Sequence, residues 1–271
     1  MNTSRLTALK ANRFPDAKWG ADDKPVMIAD GDLVRINDIH APLRAEVAYV
    51  VGVNDKSFPN LCRFLRARAL HFYEMRVSDI APLSEVGGLT QLAIRWNTKL
   101  VDLSPLSRLQ DLQVLVLEDT PKTFDLSPLA SCRALTALEY SGGIWNRNTA
   151  ASLTPIAQLP MLEELILTNL KVREGGLKPL GKCKRLKSLS VSNQFPTEDY
   201  AYLSAALPHV QCDLFASHVK LSEAIDGKDV MVVGNRKPFL SSTDDVTRIE
   251  GYQKAFEELR SEFASKLAVW E

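Results

Sequence analysis

A short proline-anchored motif recurs along the middle of the chain and constrains its fold more than any other feature. The motif consists of an acidic or small residue, an aliphatic residue, any residue, proline and a second aliphatic residue. Repeats of about 20 to 50 residues at a fixed period are typical of solenoids, in which each unit packs only on its neighbours. The five copies are spaced by 23, 23, 27 and 24 residues and begin at Asp79, Asp102, Asp125, Ser152 and Gly176.

A second pattern, L-x-x-L-x-L, lies between the proline motifs. The two-residue step between its last apolar positions predicts a short strand that buries one face. A serine or threonine before the proline predicts a capped helical start, with Ser104, Ser127 and Thr154 as caps. Clear copies begin at Leu89, Leu112, Leu135, Leu162 and Leu186, a degenerate copy comprises Ala67, Leu70 and Phe72, and a fainter one comprises Ala48, Val51 and Val53.

These two motifs together resemble the leucine-rich repeat family, in its internalin-like or SDS22-like class with units of about 22 residues. The resemblance implies an α/β solenoid with a curved parallel β-sheet on its concave face and short helical or 3-10 segments on its convex face. The family usually has asparagine at the ninth position of each unit. Here Asn97 occupies that position, Thr120 is a partial substitute, and three units depart from the pattern at Gly143, Leu170 and Gln194.

A solenoid needs capping units because its terminal repeats would otherwise expose an apolar face. We predict an N-terminal cap over residues 1–46, with strands at 26–28 and 33–39. The repeat array of about six repeats covers 47–215 and is clearest over 67–210. The C-terminal cap covers 216–271, with a buried strand at 230–233 and an amphipathic helix after Ser242 and Asp245, which have capping-box spacing. This helix either docks on the last repeats or packs on a second copy of the chain, and Trp270 fits both arrangements.

Composition excludes several classes of protein. Lys plus Arg and Asp plus Glu both number 33, so the net charge is zero, and we expect no nucleic-acid partner. No run approaches ~18 apolar residues, and the first 20 residues are polar, so we expect neither a membrane span nor a secretory signal. These features predict a cytoplasmic protein with reduced thiols.

No motif for catalysis or cofactor binding occurs in the sequence. The histidines are scattered, there is no G-x-S-x-G, Walker or H-E-x-x-H motif, and no C-x-x-C pair exists. Cys132 and Cys183 share an apolar column of the repeat and are predicted to pack in the core. We therefore predict no enzyme activity, no cofactor and no metal.

The third, fifth and seventh positions of each L-x-x-L-x-L strand are expected to face the concave side. Their side chains form an aliphatic centre flanked by Tyr73 and Arg95 on one side and by glutamates on the other, which resembles the anatomy of an interface. The predicted partner-binding residues are His71, Tyr73, Arg95, Trp96, Val114, Val116, Glu118, Glu139, Glu164 and Ile166.

The predicted function is a protein-protein interaction module that binds a partner protein through this concave face. The three glutamates predict a partner with a basic element. One alternative is an inhibitor, an immunity-type protein or an exported effector that occludes one specific target. An enzyme with its activity in the C-terminal 55 residues is the remaining alternative, and we expect it least because that segment is short and has no clustered catalytic set.

Overall fold

A computed structural model describes Leu6, residues 26–29 and residues 42–269 of the chain. Short strands alternate with turns through the repeat array, as the two motifs predict. The first ten strands are β1 (Val26–Ile28), β2 (Leu43–Val51), β3 (Leu65–Tyr73), β4 (Gln91–Arg95), β5 (Val114–Glu118), β6 (Ala137–Ser141), β7 (Asn148–Ser152), β8 (Glu164–Leu167), β9 (Leu170–Glu174) and β10 (Ser188–Val191). Eight of them form one sheet in the order β1-β2-β3-β4-β5-β6-β8-β10, and every neighbouring pair is parallel. This confirms the predicted α/β class with a parallel sheet.

In three proline motifs the first turn of the 3-10 helix is stabilised by the motif's first side chain rather than by the serine or threonine before the proline. In one of them Ser152 Oγ accepts from the Thr154 backbone N–H at 3.1 Å. Asp102 Oδ1 accepts a hydrogen bond from the Ser104 backbone N–H at 2.8 Å, and Asp125 does the same for Ser127 at 2.8 Å. The prediction that Ser104, Ser127 and Thr154 are caps is therefore wrong, because the acceptor side chain lies two residues earlier. The helices are Ala81–Glu85, Ser104–Arg108, Ser127–Ser131, Ile156–Gln158 and Lys178–Lys182.

The leucines of both motifs fill one continuous core between the sheet and the 3-10 helices. Leu92, Leu115 and Leu138 face one another in register on adjacent strands, and all three are fully buried. Cys132 and Cys183 are buried in the same core, as predicted, and burial raises the pKa of each thiol to about 11. Each cysteine therefore behaves as a small apolar residue.

Side-chain amides bridge successive turns even where the repeat departs from its asparagine rule. Asn97 Nδ2 donates to the Val77 carbonyl at 2.9 Å. In the unit of Gly143 this role passes to Asn148, which lies in the insertion and whose Oδ1 accepts from the Thr120 backbone N–H of the preceding unit at 3.0 Å. Gln194 donates to the carbonyl of Leu170. In the unit of Leu170 the preceding Asn169 donates from Nδ2 to the Gly143 carbonyl at 2.7 Å, so none of the three departures interrupts the amide bridges.

The faintest copy of the repeat has a different register from the predicted one. Ala48 pairs with Leu70 and Val50 pairs with Phe72, so the inward positions are Ala45, Ala48 and Val50. The predicted set of Ala48, Val51 and Val53 starts three residues too late. Strand β1 lies beside β2 and extends the sheet, whereas the predicted strand at 33–39 lies outside the described residues.

Within residues 42–269, three helices accompany the array: α1 (Phe58–Phe64), α2 (Thr197–Ala206) and α3 (Val246–Ala268). The apolar stripe of α3 packs on the end of the array, where Phe256 is buried and the Phe263 ring lies 5.5 Å from the Tyr202 ring of α2. An antiparallel sheet of β11 (His218–Ile225), β12 (Lys228–Val232) and β13 (Phe239–Leu240) lies before α3. No described helix is long and apolar enough to cross a membrane.

The entrance to α3 differs from the predicted capping box. Asp245 is the N-cap residue, but its carboxylate accepts from the Ser241 backbone N–H at 3.0 Å and from Lys228 and Arg248. Ser242 Oγ donates to Asp229 at 2.7 Å, so it is not available to the helix. These contacts tie the helix start to β12. Trp270 lies outside the described residues.

Candidate functional site

Strand register gathers the concave-face residues into columns, as the repeat predicts. His71 pairs with Ala93, Ala93 with Val116, Val116 with Glu139 and Glu139 with Ile166. These side chains share one face of the sheet because alternate residues of a strand point the same way.

The aliphatic centre of the concave face is closed, which corrects the prediction that it is an exposed binding surface. Ala93, Val114, Val116 and Ala137 are all buried, and they form one apolar cluster with Leu6, which is itself fully buried. Ile166 packs at the edge of this cluster. The predicted binding residues Val114 and Val116 therefore pack with Leu6 of the same chain, because aliphatic side chains on adjacent strands form a patch that is more stable when covered.

The three glutamates predicted to attract a basic partner are also engaged within the chain. Glu118 Oε2 accepts from Arg95 Nε at 2.9 Å. Glu164 Oε2 accepts from the Leu6 backbone N–H at 3.5 Å, and Glu139 is buried. Arg95 and Glu118 were expected on opposite sides of the centre, but the register places them directly opposite each other on neighbouring strands. The predicted acidic half of the concave face is thus not presented to solvent as one surface.

A cavity of about 360 Å³ opens at the carboxyl ends of the same strands. We call it the edge pocket. Its walls come from the last residues of β2 to β5 and from the insertion that follows β6. The lining residues are Tyr49, Val50, Val51, His71, Phe72, Tyr73, Arg95, Trp96, Glu118, Asp119, Gly143, Ile144 and Trp145.

Large apolar side chains stand exposed around the mouth of the edge pocket. Ile144 is 90% exposed, Trp145 is 89% exposed and Trp96 is 43% exposed. The Trp96 ring lies edge-on to the Tyr73 ring, with 5.9 Å between their centroids. Exposed aromatic and aliphatic groups grouped at a concave site are typical of binding surfaces.

Two glycines let the insertion pack against the strand ends. A Cβ atom on Gly143 would lie 2.4 Å from Asp119 Oδ2, and one on Gly142 would lie 2.4 Å from the Asn169 carbonyl oxygen. Any larger residue at either position would push the loop away. The glycine pair therefore allows Ile144 and Trp145 to lie beside the pocket.

The residues that follow β3, β4 and β5 share a left-handed backbone conformation. The φ angles are 53° at Glu74, 54° at Trp96 and 53° at Asp119. Such angles are uncommon outside glycine and cost of order 1 kcal/mol, and non-glycine residues in them cluster at functional sites. Here Trp96 and Asp119 both line the edge pocket.

Two polar atoms of the edge pocket are buried without a partner. Arg95 is 7% exposed, and its Nη2 has no hydrogen-bond partner within the described part of the chain. Asp119 is 8% exposed, and its Oδ1 is likewise unpaired among those residues. Burial, together with the nearby Arg95 charge, lowers the pKa of His71 to about 4, so His71 is neutral at pH 7.

The edge pocket and the closed centre divide the predicted site residues between them. His71, Tyr73, Arg95, Trp96 and Glu118 line the pocket. Val114, Val116, Glu139, Glu164 and Ile166 lie in or beside the centre that Leu6 covers. Sequence reasoning missed the other eight lining residues, among them Tyr49, Asp119, Ile144 and Trp145. Asp119 occupies the same repeat position as Trp96, so the repeat register could have identified Asp119 as a further candidate.

The pocket walls are lined mostly by aromatic, aliphatic and charged side chains. They contain no serine, threonine, cysteine or lysine. Within the described ranges, no three His, Cys, Asp or Glu side chains are placed to hold a metal ion.

No protein-family model and no curated protein matches the sequence. Solved structures do match in shape. An internalin from Listeria monocytogenes is 25% identical, with a TM-score of 0.48 over 61% of this chain and 44% of that chain. A complex of TLR13 with ssRNA13 contains a chain that is 19% identical, with a TM-score of 0.50 over 71% of this chain and 28% of that one.

A leucine-rich repeat protein from Leptospira interrogans is 16% identical, with a TM-score of 0.42 over 62% of this chain and 54% of that chain. This chain spans less than half the length of the Listeria internalin that it matches. The parallel sheet of consecutive strands and the likeness to the TLR13 chain agree on a leucine-rich repeat fold.

Proposed function

We propose that this chain is a protein-interaction module that binds a partner protein through the edge pocket and its exposed rim. The observation that carries the proposal is the grouping of Ile144, Trp145 and Trp96, all exposed, around one cavity. Tryptophan and tyrosine are frequent among the few residues that dominate binding energy at interfaces. The fold supports this assignment, since solenoids present extended surfaces suited to recognition.

The proposed surface differs from the concave centre predicted from the sequence. It keeps His71, Tyr73, Arg95, Trp96 and Glu118 and adds residues from the insertion. The inhibitor alternative relied on the acidic half of the concave face, and its support weakens because those glutamates are engaged internally. The exposed aromatic and aliphatic rim favours binding over catalysis as the role of the pocket. The cytoplasmic location stays a prediction from composition.

A paired capture experiment tests the proposal. The wild-type chain and an Ile144→Ala/Trp145→Ala double variant are used to capture partners from the native host, and both eluates are quantified by mass spectrometry. We expect at least one stoichiometric partner of the wild type to fall about tenfold or more with the double variant, as for loss of interface anchors.

The matched control is Ile225→Ala, which removes an exposed aliphatic side chain from the C-terminal antiparallel sheet. This variant should capture the partner as well as the wild type does. Equal capture by the double variant and the wild type would place the binding surface elsewhere. Circular dichroism melts of all three proteins show whether each variant is folded.

A further inference from the structure

The edge pocket contains one unpaired hydrogen-bond donor and one unpaired acceptor. The donor is Arg95 Nη2 and the acceptor is Asp119 Oδ1, and neither has a partner among the described residues. Buried polar groups in folded proteins are nearly always hydrogen-bonded, so an exception requires an explanation. Because both residues line one open cavity, an occupant of that cavity can supply both missing partners.

The charges that line the pocket indicate the sign of the occupant. The Arg95 guanidinium is neutralised by Glu118, with 2.9 Å between Nε and Oε2. His71 is neutral at pH 7. Asp119 is the remaining ionisable carboxyl group of the lining, and no cation is paired with it there. A buried carboxylate is strongly stabilised by a cationic partner, which indicates a positively charged occupant.

The aromatic side chains indicate a flat cation. Tyr73, Trp96 and Trp145 offer ring surfaces at the pocket mouth, and Tyr73 and Trp96 already form an edge-on pair. A guanidinium stacks on aromatic rings, bonds carboxylates through two parallel N–H groups and is more weakly hydrated than an ammonium. The cavity of about 360 Å³ lies within the range of small-ligand sites, about 300 to 1,000 Å³, and is large enough for one long side chain.

A second cavity contains a buried carboxylate but does not share these features. Asp199 lines it, and its Oδ2 already accepts from the Leu177 backbone N–H at 2.8 Å. Lys171, Lys178 and Arg147 also line that cavity. Of these two cavities, the edge pocket is the one whose unpaired carboxylate oxygen indicates a cationic occupant.

We propose that the edge pocket binds an arginine side chain presented by an extended segment of the partner protein. Asp119 accepts from the guanidinium, the aromatic rim stacks on it, and Arg95 Nη2 donates to a backbone carbonyl of the same segment. This inference rests on the proposed interaction function and adds the chemistry of the residue that is recognised.

Selection from a random peptide display library tests the occupant. The immobilised proteins are the wild type, Asp119→Asn and the matched control Asp111→Asn. The control changes an exposed aspartate that precedes β5, whereas Asp119 follows it. We expect arginine to be enriched at one position of the peptides selected by the wild type and by Asp111→Asn. This enrichment should fall about tenfold with Asp119→Asn, as for loss of a charge-assisted hydrogen bond.

A second measurement uses synthetic forms of the best selected peptide with arginine, lysine or the neutral isostere citrulline at the enriched position. Isothermal titration calorimetry with the wild type should show about tenfold weaker binding of the citrulline peptide than of the arginine peptide. With Asp119→Asn, the two peptides should bind equally well. If that variant does not fold, the arginine and citrulline peptides on the wild type still test the claim.

The outcomes separate this inference from the function on which it rests. Selected peptides that bind at the rim but show no preference for arginine, or that are acidic, would overturn the inference and leave the interaction surface intact. Selected peptides that bind an immobilised Ile144→Ala/Trp145→Ala variant as well as they bind the wild type would count against both.

Discussion

The centre of the concave face and the edge pocket are built from the same strands but have opposite character. Val114 and Val116 of β5 are buried beneath Leu6, whereas Glu118 and Asp119 at the end of the same strand line an open cavity. The repeat explains both sets of positions equally well. What separates them is the residue from outside the repeat that packs on each one: Leu6 packs on the centre, and the insertion after β6 forms one wall of the pocket. The proposed binding site of this solenoid therefore lies where its repeat is interrupted.

The largest expected effect comes from placing a charge in the closed centre. Val116→Asp would bury a carboxylate beside Glu139, which is its neighbour in register. An uncompensated buried charge lowers the free energy of unfolding by about 4 kcal/mol. Urea denaturation measures this loss. The control Val101→Asp, at an exposed valine, should change stability by less than about 0.5 kcal/mol. Similar losses for both variants would mean that the centre is open.

Removing the cover itself should have the next largest effect. Leu6→Ala deletes a fully buried side chain from the cluster on the concave face, and such truncations lower stability by about 3 kcal/mol. Thermal melting measures the change. At the edge pocket, Ile144→Ala should leave the melting temperature nearly unchanged, because Ile144 is exposed. A Leu6→Ala variant as stable as the wild type would contradict the closed centre.

His71 borders both regions and makes the stability of the protein depend on pH. It pairs with Ala93 of the centre and lines the edge pocket. Its pKa falls from 6.5 in the unfolded chain to about 4 in the folded protein, because burial and Arg95 disfavour the charged form. The unfolded state therefore binds the proton more readily below pH 6.5. This contribution to stability is complete above pH 6.5 and is lost progressively as the pH falls towards 4.

We expect the wild type to lose about 2 kcal/mol of stability through this group between pH 7.5 and pH 5. The difference between the wild type and His71→Gln, measured by urea denaturation at both pH values, isolates the contribution from other titrating groups. A difference that does not change with pH would show that His71 is solvated in the folded protein.

The smallest predicted effect on stability has the opposite sign. Asp119→Asn removes a carboxylate whose buried Oδ1 is unpaired, and we expect it to stabilise the free protein by about 1 kcal/mol. For a chain of this size, that corresponds to a rise in melting temperature of about 2 to 4 °C. Differential scanning calorimetry detects such a shift. A fall in melting temperature would indicate that Asp119 is a structural residue rather than a group kept for a ligand.

Much of the fold follows from the sequence because the repeat is a strong local signal. The leucine register, the buried cysteine column and the outward-facing strand positions all depend on periodicity within about 20 residues. The packing of Leu6 on the centre of the concave face has no such local signal in the sequence. Leu6 lies in a polar segment, and its contact with Glu164 spans 158 residues. No local pattern indicates which part of a chain closes a distant surface.

The edge pocket was only half predictable for a related reason. Tyr73, Arg95 and Trp96 lie at periodic positions, so the repeat points to them. Ile144 and Trp145 lie in an insertion, which sequence reasoning treats as a departure from the pattern. Their position depends on the close approach of Gly143 to Asp119, a tertiary contact.

Carbene footprinting of the free protein and of its complex with the captured partner tests the central claim most directly. We predict strong labelling of Trp96 and Trp145 in the free protein, several-fold protection of both in the complex, and weak labelling of Val114 and Val116 in either state. Strong labelling of Val114 and Val116 in the free protein that disappears in the complex would contradict the account, because it would make the centre of the concave face the binding surface.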